Sequence, residues 1–330
     1  MLDESKAQAM VEFNKQTVFF PSYQFAYSQL SKAVEATEIR KTASCAFIIG
    51  PSGSGKSRLC ELFTDTFNPP YIECDKDGIF KIITALYCIV PAPVTIKGIC
   101  TTLLKALGVY PPHGDVHALN ELLLDRLKKC RVRVIILDEI QRLLKPEAEK
   151  SRGVTLDWLV TLLSKSEIPI MLAGTEECKL LLKEQKKQSF SPFIRRYCYV
   201  AYLEHFKFSE LETSEYYMTL KVLDQQLFKL MKFEGDVHLH DLMIMAPLYV
   251  ASVGSLEYLR QIVHETVICA LTRNSTTLTR QDFFEACQCL NLPKQLSETT
   301  NPFTLTLSEC LALITAYTHE QANLRTNSAR

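Results

Sequence analysis

Apolar and polar positions follow two regimes along the chain, with the change near residue 204. Before it, short unbroken apolar runs are separated by segments of helical period. The runs at 46–49, 132–137 and 168–173 read as strands buried on both faces, as in the middle of a parallel sheet. Residues 71–74 form a further short strand candidate, and 79–87 fits helix or strand. Helical period covers 25–39, a segment beginning near Lys56, 95–107 up to Gly108, 156–163 and 178–187. It also covers 117–129, where Leu119, Leu122, Leu123 and Leu127 share one face. Strands alternating with helices predict an α/β fold, a parallel central sheet flanked by helices. After residue 204 only helical patterns remain, at 209–231, 238–250, 255–271 and 280–290. Thr279 and Asp282 form a capping-box pattern ahead of the last one.

These patterns predict four regions. A polar leader, an irregular FFPSY segment and a helix occupy 1–45. An α/β core occupies 46–204, and a small all-helical lid domain 205–290. A tail at 291–330, with a threonine-rich linker and a helix over 308–319, is expected outside the core.

Composition narrows the function classes. The 330 residues are 47% hydrophobic and 22% charged, and 37 basic residues balance 37 acidic ones. That excludes a globally basic nucleic-acid protein and a charged disordered chain, while leaving local basic patches open. The 12 cysteines are scattered, and no histidine stands at zinc-ligand spacing beside Cys287 and Cys289. Free thiols in a reducing compartment follow. The start MLDESKAQAM lacks the basic-then-apolar order of a secretory signal. The apolar stretches 82–96 and 242–256 contain proline and are too short to span a membrane. A cytoplasmic protein is expected.

The most specific motif is GPSGSGKS at 50–57. It satisfies G-x-x-x-x-G-K-[ST] and sits between an apolar strand and a helix, the context that a phosphate loop needs. Gly50, Gly53 and Gly55 let the backbone turn its N–H groups inward. The helix N-terminus adds unpaired donors. Lys56 reaches β- and γ-phosphates, and Ser57 offers its hydroxyl to Mg²⁺. The expected nucleotide-binding set is Gly50, Pro51, Ser52, Gly53, Ser54, Gly55, Lys56, Ser57 and Arg58. A second motif, VIILDEIQRL, places Asp138 and Glu139 at a strand end. Asp138 is expected to hold Mg²⁺ with Ser57, and Glu139 to orient or deprotonate the attacking water. Thr175 follows a third apolar strand, where it either meets the γ-phosphate or caps the next helix.

With these residues in place, the chain resembles the AAA+ ATPases, and within them the TnsC/TniB regulators of DNA transposition, in the form found in RNA-guided transposons. The resemblance covers roughly 15–290. It rests on GPSGSGKS (50–57), VIILDEIQRL (134–143), MLAGTEE (171–177), SPFIRRY (191–197) and GSLEYLRQIV (254–263) in that order. It implies an ATPase with ATP and Mg²⁺ as cofactors. It makes Lys56 and Ser57 the Walker A residues, Asp138 and Glu139 Walker B, and Thr175 the sensor. Arg195 or Arg196 becomes a finger reaching a neighbour's nucleotide, and Arg260 the candidate lid arginine, where Glu257 occupies the usual register.

The resemblance further implies a homo-oligomer, a ring or helical filament, on duplex DNA held by backbone contacts. Lys81, Lys97 and Lys105 are favoured for those contacts. Lys128, Lys129, Arg131 and Arg133 form another basic group, and Lys179, Lys183, Lys186 and Lys187 read equally as a charged helix face. The implied partners are a TniQ-type target-selection adaptor with its RNA-guided complex, and a DDE transposase with its associated endonuclease; no membrane is expected. The leader and the tail are candidate partner segments by position. The alternative is an origin-type AAA+ replication initiator or helicase loader. It should carry a winged helix after the lid, where about 40 residues are few. Trp158 is expected in helix packing, and the FFPSY aromatics either around adenine or in ordinary burial. The seven histidines form no ligand set.

Overall fold

The computed structural model describes residues 4–75, 78–110, 113–186, 192–298 and 300–328. Two helices open the chain, α1 (Glu4–Lys15) and α2 (Pro21–Arg40). They belong to different units. One unit is Ser22–Glu204, and the other joins Met1–Pro21 to His205–Arg330.

Among its described residues the Ser22–Glu204 unit has seven strands: β1 (Ala46–Ile49), β2 (Tyr71–Asp75), β3 (Gly78–Ile82), β4 (Ala85–Ile89), β5 (Val134–Asp138), β6 (Ile170–Gly174) and β7 (Tyr199–Tyr202). Five of them make a parallel sheet in the order β4-β5-β6-β1-β7. Helices α3 (Lys56–Thr64), α4 (Ile96–Ala106), α5 (Val116–Lys129), α6 (Glu149–Ser166), α7 (Lys179–Lys186) and α8 (Pro192–Arg196) connect the strands. Every residue of β1, β5 and β6 is buried, which is why these segments read as unbroken apolar runs. Register brings the carboxyl ends to one edge: Ile49 pairs with Gly174, and Ile89 with Asp138. Ligands of open α/β sheets sit outside that edge.

Within this unit the structure settles or adds to the sequence reading at several strands. Residues 79–87 split between β3 and β4, with Ile83 and Thr84 between them. The strand at 71–75 stays out of the main sheet and pairs antiparallel with β3 as a separate ribbon. At the sheet's edge, β7 buries only Ala201 fully, so it has no apolar run to announce it. Trp158 packs on α6 with its indole N–H donating to Asn120 Oδ1 at 3.0 Å.

The other unit is helical. It contains α1, α9 (Glu215–Met231), α10 (Leu242–Ser252), α11 (Leu256–Thr272), α12 (Arg280–Cys289) and α13 (Leu307–Ser328). Residues Ile244–Ser252 of α10 are all buried, as befits a helix that is apolar on every side. The tail expected outside the core is part of this packing. Cys310 and Ile314 of α13 are buried, and Phe303 stacks on Phe283 at 5.2 Å between centroids. The segment at 238–241 precedes α10, with His238 Nδ1 2.8 Å from the buried Asp224 Oδ2. Among the described residues, no helix is long and apolar enough to cross a membrane, and no group of three histidine, cysteine or acidic residues gathers to hold a metal ion.

Asp282 anchors the start of α12. Its side chain is fully buried, accepts the Thr279 N–H at 2.8 Å, and meets Arg273 Nε at 2.8 Å and Nη2 at 2.5 Å. Asp282→Ala leaves that cap and guanidinium without an acceptor, at an expected cost of about 2–3 kcal/mol to the helical unit. Urea unfolding followed by circular dichroism reads this as a lower midpoint; an unchanged midpoint would show that the contacts contribute nothing.

Candidate functional site

The site begins where β1 stops. Gly50 donates its N–H to Gly174 O at 3.1 Å, and a Cβ at Gly50 would stand 2.0 Å from Leu203 O. No other residue fits this approach. Gly53 and Gly55 then take the left-handed region, at φ 75° and 90°. Gly55 is the N-cap of α3 and makes no side-chain cap. The N–H groups of Lys56 and Ser57 therefore have no intrahelical acceptor, as at any helix start. The buried Tyr23 of α2 donates its hydroxyl to Gly55 O at 3.2 Å, bracing the loop from outside. That is the place of one FFPSY aromatic. Phe20 belongs to the helical unit and packs edge-on against Phe206 at 5.0 Å.

Lys56 is buried, and its ammonium donates to Pro51 O at 2.7 Å, with Ser54 Oγ at 3.5 Å. Burial lowers its pKa, while Asp138 and then Glu139 act against the shift. Ser57 donates to Asp138 Oδ2 at 2.6 Å. Tyr87, in the middle of β4, donates its hydroxyl to the same oxygen at 2.8 Å. Burial first, and then that bond, pushes the Tyr87 hydroxyl pKa upward, so it stays a donor. Asp138 Oδ1 accepts the Glu139 N–H at 2.7 Å. Glu139 itself is left-handed, at φ 64° and ψ 31°, an uncommon conformation for a residue with a side chain. The chain then enters a 3₁₀ turn over Ile140–Leu144.

β6 lies between β1 and β5, so the Ser57–Asp138 contact has to cross its end. Gly174 keeps that end low. A Cβ there would meet Cys178 Sγ at 2.6 Å, Ile140 Cγ2 at 2.8 Å and Gln141 Oε1 at 3.0 Å. Thr175 follows as the first cap of a short turn, but its side chain makes no capping bond. Its Oγ1 is buried without a partner among the described residues.

The donor set suits a nucleoside triphosphate with a divalent cation. Among the described residues, the buried ammonium has only neutral acceptors within hydrogen-bond distance, and the Thr175 hydroxyl has no partner. A hydroxyl beside a carboxylate supplies the hard oxygens that Mg²⁺ prefers.

Two residues escaped the sequence reading. Tyr87 lay in the ambiguous stretch 79–87. Gln141 donates to Glu139 Oε2 at 2.8 Å and accepts the Thr175 N–H at 3.2 Å. No pattern marks it beyond its place two residues after Glu139.

The other expected residues are placed as follows. Arg196 is half-buried, and its guanidinium donates to Ala43 O at 3.2 Å and Ser164 Oγ at 3.3 Å. Arg195 is exposed, with no hydrogen bond or ion pair among the described residues. Arg58 is exposed on α3, 3.4 Å from Glu61 Oε2. Arg260 lies in the helical unit, where it donates to the carbonyls of Gln16, Phe13 and Asn14 at 2.9, 3.1 and 3.2 Å, closing the end of α1. Lys97 and Lys105 are exposed on α4. Lys81 is exposed on β3 and reaches toward Gly108, just past α4, so it and Lys105 flank one helix end. Lys129, Arg131, Arg133 and Lys179 have acidic partners Asp125, Glu73, Glu38 and Glu176, respectively. Lys187, and Ser191 of the SPFIRRY segment, lie outside the described residues.

Residues 39–182 match the AAA domain family. No curated protein sequence matches the chain. Among solved structures, the Aeropyrum pernix ORC2 protein in its ADPNP–ADP complexes superposes with a TM-score of 0.56 at 15% identity, over 80% of this chain and 66% of that one. Its ADP form gives 0.52 at 15% identity, over 82% and 70%. Cdc6p from Pyrobaculum aerophilum gives 0.52 at 14% identity, over 81% and 66%. The chain thus spans slightly less than two thirds of the first of these relatives. With the sheet order and the phosphate loop, these likenesses establish the fold: an AAA+ P-loop domain with a five-stranded parallel sheet, joined to a helical region.

Proposed function

We propose that this chain is an ATP-hydrolysing regulator of DNA transposition that assembles on duplex DNA. The observation that carries the ATPase reading is the 2.6 Å contact of Ser57 with Asp138, beside the buried Lys56 and the adjacent Glu139. When bound, Mg²⁺ neutralises phosphate charge, and Ser57 and Asp138 would hold it. Lys56 binds the β- and γ-phosphate region with the loop N–H groups of residues 53–58. Glu139 orients and deprotonates water. Thr175 offers Oγ1 to the terminal phosphate.

Assembly follows from the arginines. Arg195 is the finger in this reading, because Arg196 is engaged within its own chain. A guanidinium completing a neighbour's site makes a heterologous contact, which repeats into a ring or helical filament. Nucleotide then stabilises assembly and hydrolysis reverses it. Lys81, Lys97 and Lys105 contact the DNA backbone, each adding a salt-dependent increment. Arg260 closes α1, and its part as a nucleotide sensor requires it to exchange those carbonyls for phosphate.

The transposition role rests on the order of the five motifs and on the Gly174–Thr175 pair that closes β6. It brings a TniQ-type adaptor with an RNA-guided complex as one partner, and a DDE transposase with its endonuclease as the other. A second reading, an origin-type initiator or helicase loader, is favoured by the fold likeness to the ORC2 and Cdc6p structures. Reconstitution separates them: stimulation of transposase joining supports the first, and loading of a replicative helicase supports the second.

Electron microscopy with duplex DNA tests assembly. Rings or filaments are expected with ATP or a non-hydrolysable analogue and not with ADP; a monomer indifferent to DNA would overturn the reading. Glu139→Gln should assemble normally and lose roughly 10²–10⁴ in turnover. Arg195→Ala should lose turnover on DNA while nucleotide affinity of the dispersed chain holds, whereas the same loss from Arg196→Ala alone would move the finger to Arg196. Tyr87→Phe removes one of the two hydroxyls that orient Asp138 Oδ2 and so loosens the carboxylate. It should raise the Mg²⁺ concentration for half-maximal turnover about tenfold, the equivalent of one hydrogen bond to a charged group.

A further inference from the structure

Glu139, the carboxylate given the task of activating water, is gripped by a neighbouring side chain. The Gln141 amide donates through Nε2 to Glu139 Oε2 at 2.8 Å, and its Oε1 accepts the Thr175 N–H at 3.2 Å. The two partners have opposite hydrogen-bonding sense. An ionised carboxylate only accepts and a backbone N–H only donates, so together they fix which way the amide points. A glutamate in this position keeps the acceptor and loses the donor. An asparagine keeps the amide but draws it back by one methylene.

Two further features show that the arrangement is built. The amide oxygen fits against β6 because residue 174 has no side chain; a Cβ there would come within 3.0 Å of Gln141 Oε1. The Glu139 backbone is left-handed and held from the other side by Asp138 Oδ1 on its N–H. Asp138 thus fixes the backbone of Glu139, and Gln141 fixes its carboxylate.

We infer that Gln141 is the positioning residue for Glu139, and that it joins the position of that carboxylate to Thr175. This deepens the ATPase reading and rests on it. Thr175 holds Gln141 through its N–H and carries a buried Oγ1 with no partner among the described residues. A shift of Thr175 toward a ligand at that oxygen is passed to Glu139 through one amide. The end of the third predicted strand and the end of the second motif therefore act as one unit.

The test uses the full chain with duplex DNA, ATP and Mg²⁺, comparing Gln141→Ala, Gln141→Glu and Gln141→Asn. Gln141→Glu is nearly isosteric, so a space-filling role predicts wild-type turnover for it. The positioning role predicts that Gln141→Glu and Gln141→Ala both lose kcat roughly tenfold or more. KM and the binding of a non-hydrolysable ATP analogue should stay within about twofold of wild type. Gln141→Asn should fall with them, and it keeps the readout available if the charged variant does not fold. In a Glu139→Gln background, Gln141→Ala should cost nothing further, because the group it positions is gone. Wild-type turnover by Gln141→Glu, or a full additional loss in the double variant, overturns the inference while leaving the ATPase reading intact. A wild-type protein that binds ATP without turning it over overturns the ATPase reading itself, and the role of Gln141 with it.

Discussion

A hydrogen bond across the end of β6 organises the nucleotide-binding unit. Ser57 stands at the start of the helix after β1, and Asp138 at the end of β5, with β6 between those strands. The middle strand ends in Gly174, where a Cβ would strike Cys178 and Ile140. The same glycine makes room for Gln141 and accepts the Gly50 N–H. Three strand ends are thereby drawn into one crevice, the usual ligand position of such sheets.

The electrostatics of that crevice are balanced within a short radius. A buried ammonium, a buried carboxylate and a half-buried carboxylate face one another, and the desolvation of Lys56 is opposed by Asp138 and Glu139. An isolated buried charge would be expensive. Here each has a partner, and Tyr87 and Gln141 supply neutral donors to the two acids. These neutral donors fix the direction of the carboxylates without adding charge. Preorganised polar groups of this kind cost no reorganisation when charge develops nearby.

The basic residues show the same economy elsewhere. Several lysines and arginines that look available in the sequence are paired in space, Arg131 with Glu73 and Arg133 with Glu38 among them. Arg260 and Arg196 are drawn into carbonyl contacts instead. Net charge zero therefore conceals a selective surface, on which Lys81, Lys97, Lys105 and Arg195 stay exposed.

Much of the design was legible in the chain because its signals are local. An unbroken apolar run marks a strand covered on both faces, so β1, β5 and β6 were readable. The glycines and lysine of residues 50–57 have to be contiguous for one loop to wrap a phosphate. The Asp138–Glu139 pair sits at a strand end by sequence alone, and Thr279 with Asp282 caps α12 over three residues. What stayed hidden depends on partners far apart in sequence. Edge strand β7 has one buried residue, and its pairing with β1 is set by the sheet. Ribbon β2–β3 looks like sheet until the main sheet excludes it. Tyr87 reaches Asp138 across 51 positions and Arg260 reaches Phe13 across 247. The residues after 290 join the helical unit because α10 needs an apolar neighbour. Local chemistry thus determined the phosphate loop and its acids; tertiary packing decided which donors hold those acids and which arginines remain exposed, because only packing brings distant side chains within bonding distance.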